Sequence, residues 1–539
     1  MIGEKLSVDS ARASRVFVVV GLAMLAISLV RTAWLSDDAY ITFRTADNII
    51  HGYGPVWNTS ERVQTYTHPL WLALITPAFA LTGEVYYTAI FLSILVTLAA
   101  VALLARRLAA TPWNLIVCLA ALLSSKAFID FSTSGLENPL THLLLFAFVW
   151  TWWDEPAGPR RMRRVSFVAA LCLLNRLDLA PLVLPAVAWE AWRTGPRAAI
   201  RPLAMGFTLL AAWELFSIFY YGAPFPNTAY AKLNTVIGAE ARFRHGLDYL
   251  LRALTGDPAT LPVIAASAFA IPRARYRRDW PLVAGIALFV AYVLRIGGDW
   301  MMGRFLTPPF AIAVALLARA PWIGARRPAL AASAAVIATG LLATWEPAIL
   351  SGYGYSYANN VVHGRRTRTP MDNETKTFLL GVMDERRYYY EATGLLKTFR
   401  ASPRPDYEWT VEGLRLRDGG GHVVVHINIG MLGYFGGPRV HVIDLLGLGD
   451  PLLARLPGGM LDSPIGHFPR ALPGGYVDTI ETGENRLTDP DLAAYYDRLH
   501  LVNAGPLFGR ERLLALVRFS TGRYDDLRDR YVSRQKPRM

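Results

Sequence analysis

Long apolar stretches separated by short arginine-bearing loops dominate the first 346 residues. Apolar runs recur at 16–35, 86–105, 112–129, 138–153, 165–175, 179–192, 199–220, 258–272, 281–296, 304–319 and 328–346. Most approach the roughly 20 residues a helix needs to cross the hydrocarbon core of a bilayer. The two runs flanking Asn175-Arg-Leu-Asp178 are shorter, reading as two helices meeting at a polar hairpin or as one broken span. The run at 69–83 is also short and reads as a helix that lies in the interface or re-enters the membrane. Beyond about Trp345 the pattern turns polar and rich in Gly and Pro. There His422-Val-Val-Val-His-Ile-Asn-Ile429 and Val440-His-Val-Ile-Asp444 read as buried strands. Stretches at 372–400, 489–500 and 507–534 carry helical spacing. The pattern predicts a polytopic α-helical membrane region over 1–346 and a small water-exposed α/β domain over 347–539.

Charge fixes the orientation. The 539-residue chain is 53% hydrophobic, which excludes a soluble enzyme, and its net charge is +13. That basicity does not point to nucleic acid, because the arginines fall in clusters between apolar segments. With the N-terminus inside, the cytoplasmic loops hold Arg106-Arg107, Arg160 to Arg164, and Arg193 with Arg197 and Arg201. They also hold Arg273 to Arg278, and Arg319 with Arg326-Arg327. All clusters reach one side only if 69–83 is not counted as a span, which leaves about 11 spans and places 347–539 outside the cytoplasmic membrane. No small-residue cleavage site follows the first apolar run, so it reads as a retained span. Cys118 and Cys172 lie within apolar segments, and no structural disulfide is expected.

The opposite face collects different chemistry, on outer loops at 34–85, 130–137 and 221–257. The first carries Asp37, Asp38, Arg44 and His68, and the second Glu137 in Ser132-Thr-Ser-Gly-Leu-Glu-Asn-Pro139. Arg176 and Asp178 follow, then Asn227 and Lys232, then Asp299 and Arg304 in Gly297-Gly-Asp-Trp-Met-Met-Gly-Arg304. Ionisable groups beside a bilayer are costly unless they meet water, a partner or a reacting group. Their gathering on one face, with no inverted repeat, suits a lipid-tailed substrate whose head group sits at the surface. A transporter or flippase needs polar groups near the midplane instead.

Asp37-Asp-Ala-Tyr-Ile-Thr-Phe-Arg-Thr-Ala-Asp-Asn48, Gly52-Tyr-Gly-Pro-Val-Trp-Asn58 and Tyr66-Thr-His-Pro-Leu-Trp71 resemble the first outer loop of GT-C glycosyltransferases. Within that superfamily they are most similar to bacterial arabinofuranosyltransferases of the AftB and TfpW type. Ser134-Gly-Leu-Glu137, Pro226-Asn-Thr228 and the Gly297–Arg304 run match further, as do Val442 to Pro451 and Gly466-His-Phe-Pro-Arg470 more weakly. The resemblance implies transfer of a pentofuranose, arabinofuranose first, from a polyprenyl-phosphate donor to a glycan or protein acceptor outside the cytoplasmic membrane. A polyprenyl-phosphate hexose such as mannose is the alternative donor.

Such a reaction needs a base for the acceptor hydroxyl, cations for the leaving phosphate, and positioning. Asp37 or Asp38 is the expected base, with Asp38 slightly preferred, and one base with one leaving group implies inversion by a single displacement. The bland reading is that the pair supports the helix opening after Ser36. Arg44, Arg176, Lys232 and Arg304 are the expected phosphate or substrate contacts, with pairing of Arg176 to Asp178 as the bland reading. His68, Glu137, Asp178, Asn227 and Asp299 complete the expected substrate-binding set. A divalent metal stays open, since the adjacent acids with Glu137 or Asp299 offer oxygen ligands. Trp34, Tyr40, Tyr66, Trp71 and Trp300 read first as interfacial aromatics, and Asp444, Asp450 and His467 as parts of turns.

Overall fold

The computed structural model describes residues 2–271, 276–355, 381–398, 403–459, 463 and 465–535, with the side chains of 2–15, 276 and 277 left aside. Among the described residues each apolar run of the sequence is mostly helix. The order is α1 (Ile2–Thr32), α2 (Asp37–Ile50), α3 (Pro69–Thr82), α4 (Val85–Leu103), α5 (Pro112–Ser124), α6 (Lys126–Phe131), α7 (Asn138–Asp154) and α8 (Pro159–Asn175). Then come α9 (Ala180–Thr194), α10 (Pro196–Tyr221), α11 (Asn227–Leu233), α12 (Ala239–Gly256), α13 (Thr260–Ala266), α14 (Tyr276–Ile296), α15 (Thr307–Leu317) and α16 (Arg326–Leu341). The predicted polar hairpin at 175–178 is present: α8 ends at Asn175 and a single 3-10 turn at Leu177–Leu179 leads into α9. Pro at the first turn of α3, α5, α7, α8, α9 and α10 starts these helices where an N–H would lack a partner anyway.

By length and composition, Val85–Leu108, Pro196–Tyr221 and Arg278–Ile296 can cross a membrane, among the described residues. Val16–Thr32 and α2 pass the same test only as one bent pair, with an angle of 91°. The outside of α10 shows what solvates these helices. Only 11% of its most apolar window is buried in protein, and Ile200, Met205, Leu209, Leu215 and Phe216 are exposed. A ridge of that kind is untenable in water and ordinary in hydrocarbon, so the chain is a membrane protein. Cys118 and Cys172 are buried and free.

Past α16 come α17 (Glu385–Thr393), α18 (Glu408–Asp418), β1 (Val423–His426), α19 (Gly430–Gly436), β2 (His441–Asp444), α20 (Tyr476–Thr482), α21 (Pro490–Ala504), α22 (Arg510–Ser520) and α23 (Asp525–Gln535). Among the described residues the sheet is the parallel pair β1–β2, with Val423 opposite His441 and His426 opposite Asp444. Residues 372–380, read as helical in sequence, lie outside the described residues, as do Arg273 and Arg275. Ile443, Leu452, Leu492, Tyr495 and Leu499 build a separate core for the end of the chain. Tyr389, Trp409, Ile429, Met431, Leu432 and Val440 instead join the same core as α1 to α9. The first half of 347–539 is thus seated on the helices rather than hung beside them.

Two of the contacts that seat it lie side by side. The backbone at 300–302 pairs with Met383: Met302 N donates to Met383 O (2.9 Å) and Met383 N to Trp300 O (2.7 Å). Next to it lies a buried ionic cluster in which Lys126 meets Asp130 and Asp384, while Arg386 meets Asp130 (2.7 Å) and lies over the Tyr355 ring. Charges this deep are tolerable only because each is paired.

Candidate active site

α2 opens at Ser36, whose hydroxyl accepts the Asp38 N–H (3.2 Å) and donates to Glu385 Oε1 (2.6 Å). From there the helical period divides the helix into two faces. Asp38, Ile41 and Thr42 line a cavity of ≈390 Å³, together with Thr65 to His68, Glu137, Arg176, Asp178, Lys232, Tyr292, Asp299, Arg304 and Phe305. Asp37, Tyr40 and Arg44 face away from it, toward α19.

The second face is structural. Asp37 accepts hydrogen bonds from Gly430 N (3.2 Å) and Met431 N (2.7 Å), holding the first N–H groups of α19. A Cβ at Gly430 would overlap the Asp37 carbonyl, so this close approach requires glycine. Burial pushes the Asp37 carboxyl up to about 7, against the pull of those two N–H groups. Tyr40 packs on Tyr434 and Phe435. Arg44 donates to Gly433 O (3.0 Å) and Val440 O (2.7 Å) and lies over the Trp57 ring. Asp37, expected as an alternative base, and Arg44, expected as a substrate contact, therefore sit outside the cavity. Asn227 does too. Its amide donates to Gly447, Leu448 and Asp450 carbonyls (2.9, 3.1 and 3.0 Å), which spends its donors on a loop of the C-terminal region.

Around the cavity the predicted residues do converge. Glu137 is 1% exposed and sits at the centre of a charge cluster. Its carboxylate accepts from Arg304 (3.1 and 3.3 Å), meets Arg176 Nη1 (3.3 Å) and lies 3.2 Å from His68 Nδ1. Burial alone would raise the Glu137 carboxyl, but Arg304, His68 and Arg176 bring it down to about 2. His68 is pushed down to about 4 by burial and is a neutral imidazole. Its Nδ1 then carries the proton toward the carboxylate, and Nε2 accepts from Thr42 (2.7 Å). Arg176 also grips Asp178 in bidentate fashion, 2.9 and 2.5 Å. The hairpin pairing read from sequence and a place in the cavity wall are both true of Arg176.

Asp38, Lys232 and Asp299 differ from these paired groups. Among the described residues the Asp38 carboxylate has no hydrogen-bond partner and Lys232 makes no ion pair. Burial raises the Asp38 carboxyl above its ordinary value; Arg304 and Lys232 oppose the rise, and Asp299 and Glu137 add to it. Asp299 accepts its neighbour's N–H, from Trp300 (2.9 Å), at the turn that Gly297 and Gly298 make with positive φ. Among the described residues no three His, Cys, Asp or Glu side chains come together at metal-binding spacing.

Sequence reasoning passed over Glu385. It is 2% exposed; one carboxyl oxygen accepts from Ser36, and the other is buried without a hydrogen-bond partner. Burial, then the charge of Asp38, pushes its carboxyl well above the ordinary range. It reaches the cap of α2 on the segment that follows the pairing of 300–302 with Met383, a contact with no signature in sequence. Of the aromatics read as interfacial, Trp34 and Trp71 are fully buried, spending their N–H groups on Asp130 O (2.8 Å) and Gly135 O (3.0 Å). Asp444 and Asp450 stabilise turns through backbone N–H groups, as expected, and His467 packs edge-on against Trp300.

No family model matches this chain. It is 27% identical over 513 aligned positions to the terminal beta-(1->2)-arabinofuranosyltransferase of Mycobacterium tuberculosis, covering 78% of each chain. It is 29% identical over 561 aligned positions to the protein of the same name from Corynebacterium glutamicum, covering 85% of this chain and 78% of the relative. The resemblance to arabinofuranosyltransferases runs through most of the chain. The crystal structure of ArnT from Cupriavidus metallidurans bound to undecaprenyl phosphate aligns with 82% of this chain and 88% of that one, at 13% identity and a TM-score of 0.49.

Proposed function

We propose that this protein is an integral-membrane glycosyltransferase of GT-C type that transfers arabinofuranose from a polyprenyl-phosphate donor to a glycan acceptor. The reaction takes place on the extracytoplasmic side of the cytoplasmic membrane. The observation that carries the reading is one cavity in which an unpartnered carboxylate, Asp38, stands with Lys232 and Arg304, in a chain similar to named arabinofuranosyltransferases.

Asp38 takes the proton of the acceptor hydroxyl as its oxygen attacks the anomeric carbon. The bond from that carbon to the phosphate oxygen breaks, and polyprenyl phosphate leaves with the electron pair and the configuration inverted. Lys232 offers an unpaired ammonium to the leaving phosphate, and Arg304 adds a guanidinium whose place is set by Glu137. Asp299 and Asp178 are left to contact sugar hydroxyls, and His68 to hold Glu137. The raised Asp38 carboxyl suits a base, since a carboxylate of ordinary acidity is a poor proton acceptor.

Purified protein supplied with polyprenyl-phospho-arabinofuranose and an arabinofuranosyl oligosaccharide should yield an extended glycan. Transfer that survives in Asp38→Asn at the native rate would refute the base assignment. Turnover of a mannosyl donor with none of the arabinosyl donor would replace the sugar.

A further inference from the structure

α2 has a second end. Its N-terminus carries Asp38 into the catalytic cavity, and just past its C-terminus the chain enters, at Tyr53, the wall of a separate cleft of ≈450 Å³. The cleft forms where the first loop meets the C-terminal region. Tyr53 and Glu61 come from the loop, His441 from β2, and Asn485, Tyr496 and His500 from the segment that includes α21.

Its walls are held in shape by their own hydrogen bonds. Ser60 Oγ lies 3.0 Å from His441 Nδ1, and Thr59 donates to Pro438 O (3.0 Å), which stitches the loop to the C-terminal region. Asn485 donates to Ala493 O (2.8 Å) and to Asp497 (2.7 Å). Asn58 donates to Glu61 (3.3 Å) and also bonds the backbone of β2, so the Glu61 carboxyl is set in place. Two aromatic surfaces border the cleft: Tyr53 is 50% exposed, and the exposed His500 ring stacks on Tyr496 at 27° and 5.6 Å.

The charges narrow the ligand. Burial pushes the Glu61 carboxyl up to about 8 and His441 down to about 4, which leaves Asp497 against Arg439 and no excess of positive charge in the lining. A phosphate or polyanion finds no cationic cradle there. The exposed Tyr53 and His500 rings, beside the Glu61 carboxyl, match a molecule with hydroxyls and apolar C–H faces.

We propose that this cleft binds an uncharged oligosaccharide. Resting on the function proposed above, it holds the distal residues of the acceptor glycan while the tip reaches Asp38. The 14-residue α2 spans roughly 20 Å, so only an acceptor several residues long fills both places.

The test uses the full chain in lipid nanodiscs with linear arabinofuranosyl hexasaccharide and disaccharide. Saturation-transfer NMR without any donor should show the distal residues of the hexasaccharide in contact, and the contact should vanish in Tyr53→Ala. With donor present, Tyr53→Ala and His500→Ala should each raise the hexasaccharide KM by roughly five- to tenfold, the scale of one lost aromatic contact. The disaccharide KM and kcat should stay as in the wild type. An unchanged hexasaccharide KM in both variants, with melting temperatures preserved, overturns the proposal. Glycan contact without transfer would sink the catalytic reading and leave the cleft standing. Transfer indifferent to acceptor length and to Tyr53→Ala would do the reverse.

Discussion

The two faces of α2 began as one string of polar residues and ended with opposite duties. On one face Asp38 and Thr42 border a cavity, and among the described residues Asp38 keeps its carboxylate without a hydrogen-bond partner. On the other, Asp37 and Arg44 spend nearly all their hydrogen bonds on the backbone of 430–440. Asp37 and Asp38 are the same residue type at adjacent positions. What separates them is whether a partner already satisfies the charge. A carboxylate bonded to two N–H groups is a joint, whereas one left open against a low-dielectric wall can exchange a proton. Arginines divide the same way. Arg44 is consumed by carbonyls, while Arg304 is aimed by Glu137 and still borders the cavity.

The largest expected effect tests that contrast directly. Asp38→Asn should lower kcat by about 10²- to 10⁴-fold, the range of a lost general base, with the melting temperature near native. Asp37→Asn should do the opposite, leaving kcat within a few-fold and lowering thermal stability. Equal losses of kcat at unchanged stability would erase the distinction between the faces.

Next comes the buried cluster. Glu137→Ala strands Arg304, and the expected cost is about 3–5 kcal/mol of stability, measured by thermal melts in detergent. The folded-state Glu137 pKa of about 2 lies below the ordinary 4.5. Its ionised form therefore stabilises the fold above pH 4.5, and that contribution fades as pH falls toward about 2. Wild-type melts should show this acid loss and Glu137→Gln should lack that part of it.

A smaller effect separates the two arginines. Arg44→Lys keeps the charge but not the paired carbonyl contacts, and should cost about 1–3 kcal/mol of stability with kcat intact. Arg304→Lys should show its loss mainly in kcat.

The pH profile offers the finest test. The acid limb of kcat follows protonation of Asp38, so activity falls as pH drops through its raised pKa. Asp299→Asn removes a charge that raises it and should move the limb to lower pH. Lys232→Gln removes a charge that lowers it and should move the limb up. Shifts in the same direction would show that the limb belongs to another group. Glu385→Ala, which unties the cap of α2, should lower kcat while Glu385→Gln, still able to bond Ser36, restores most of it.

Sequence determined much of this. Apolar runs marked where the helices lie, because hydrocarbon solvates only chains whose backbone is internally bonded. Charged residues so close to those runs marked Asp38, Glu137, Arg176, Lys232, Asp299 and Arg304 as a group, because each would be costly alone. What sequence did not decide was which charges would be spent on structure. Asp37, Arg44 and Asn227 had the right types in the right loops, and only the docking of 430–450 against α2 and α11 consumed them. Glu385 and the Lys126–Asp384 pair gave no local signal, since Ser36 and Glu385 are 349 residues apart and Lys126 and Asp384 are also remote in the chain. Hydrophobic periodicity is a local property and is written in the chain. Whether a given charge is satisfied is a property of its neighbours, and those neighbours are assembled only by the tertiary fold.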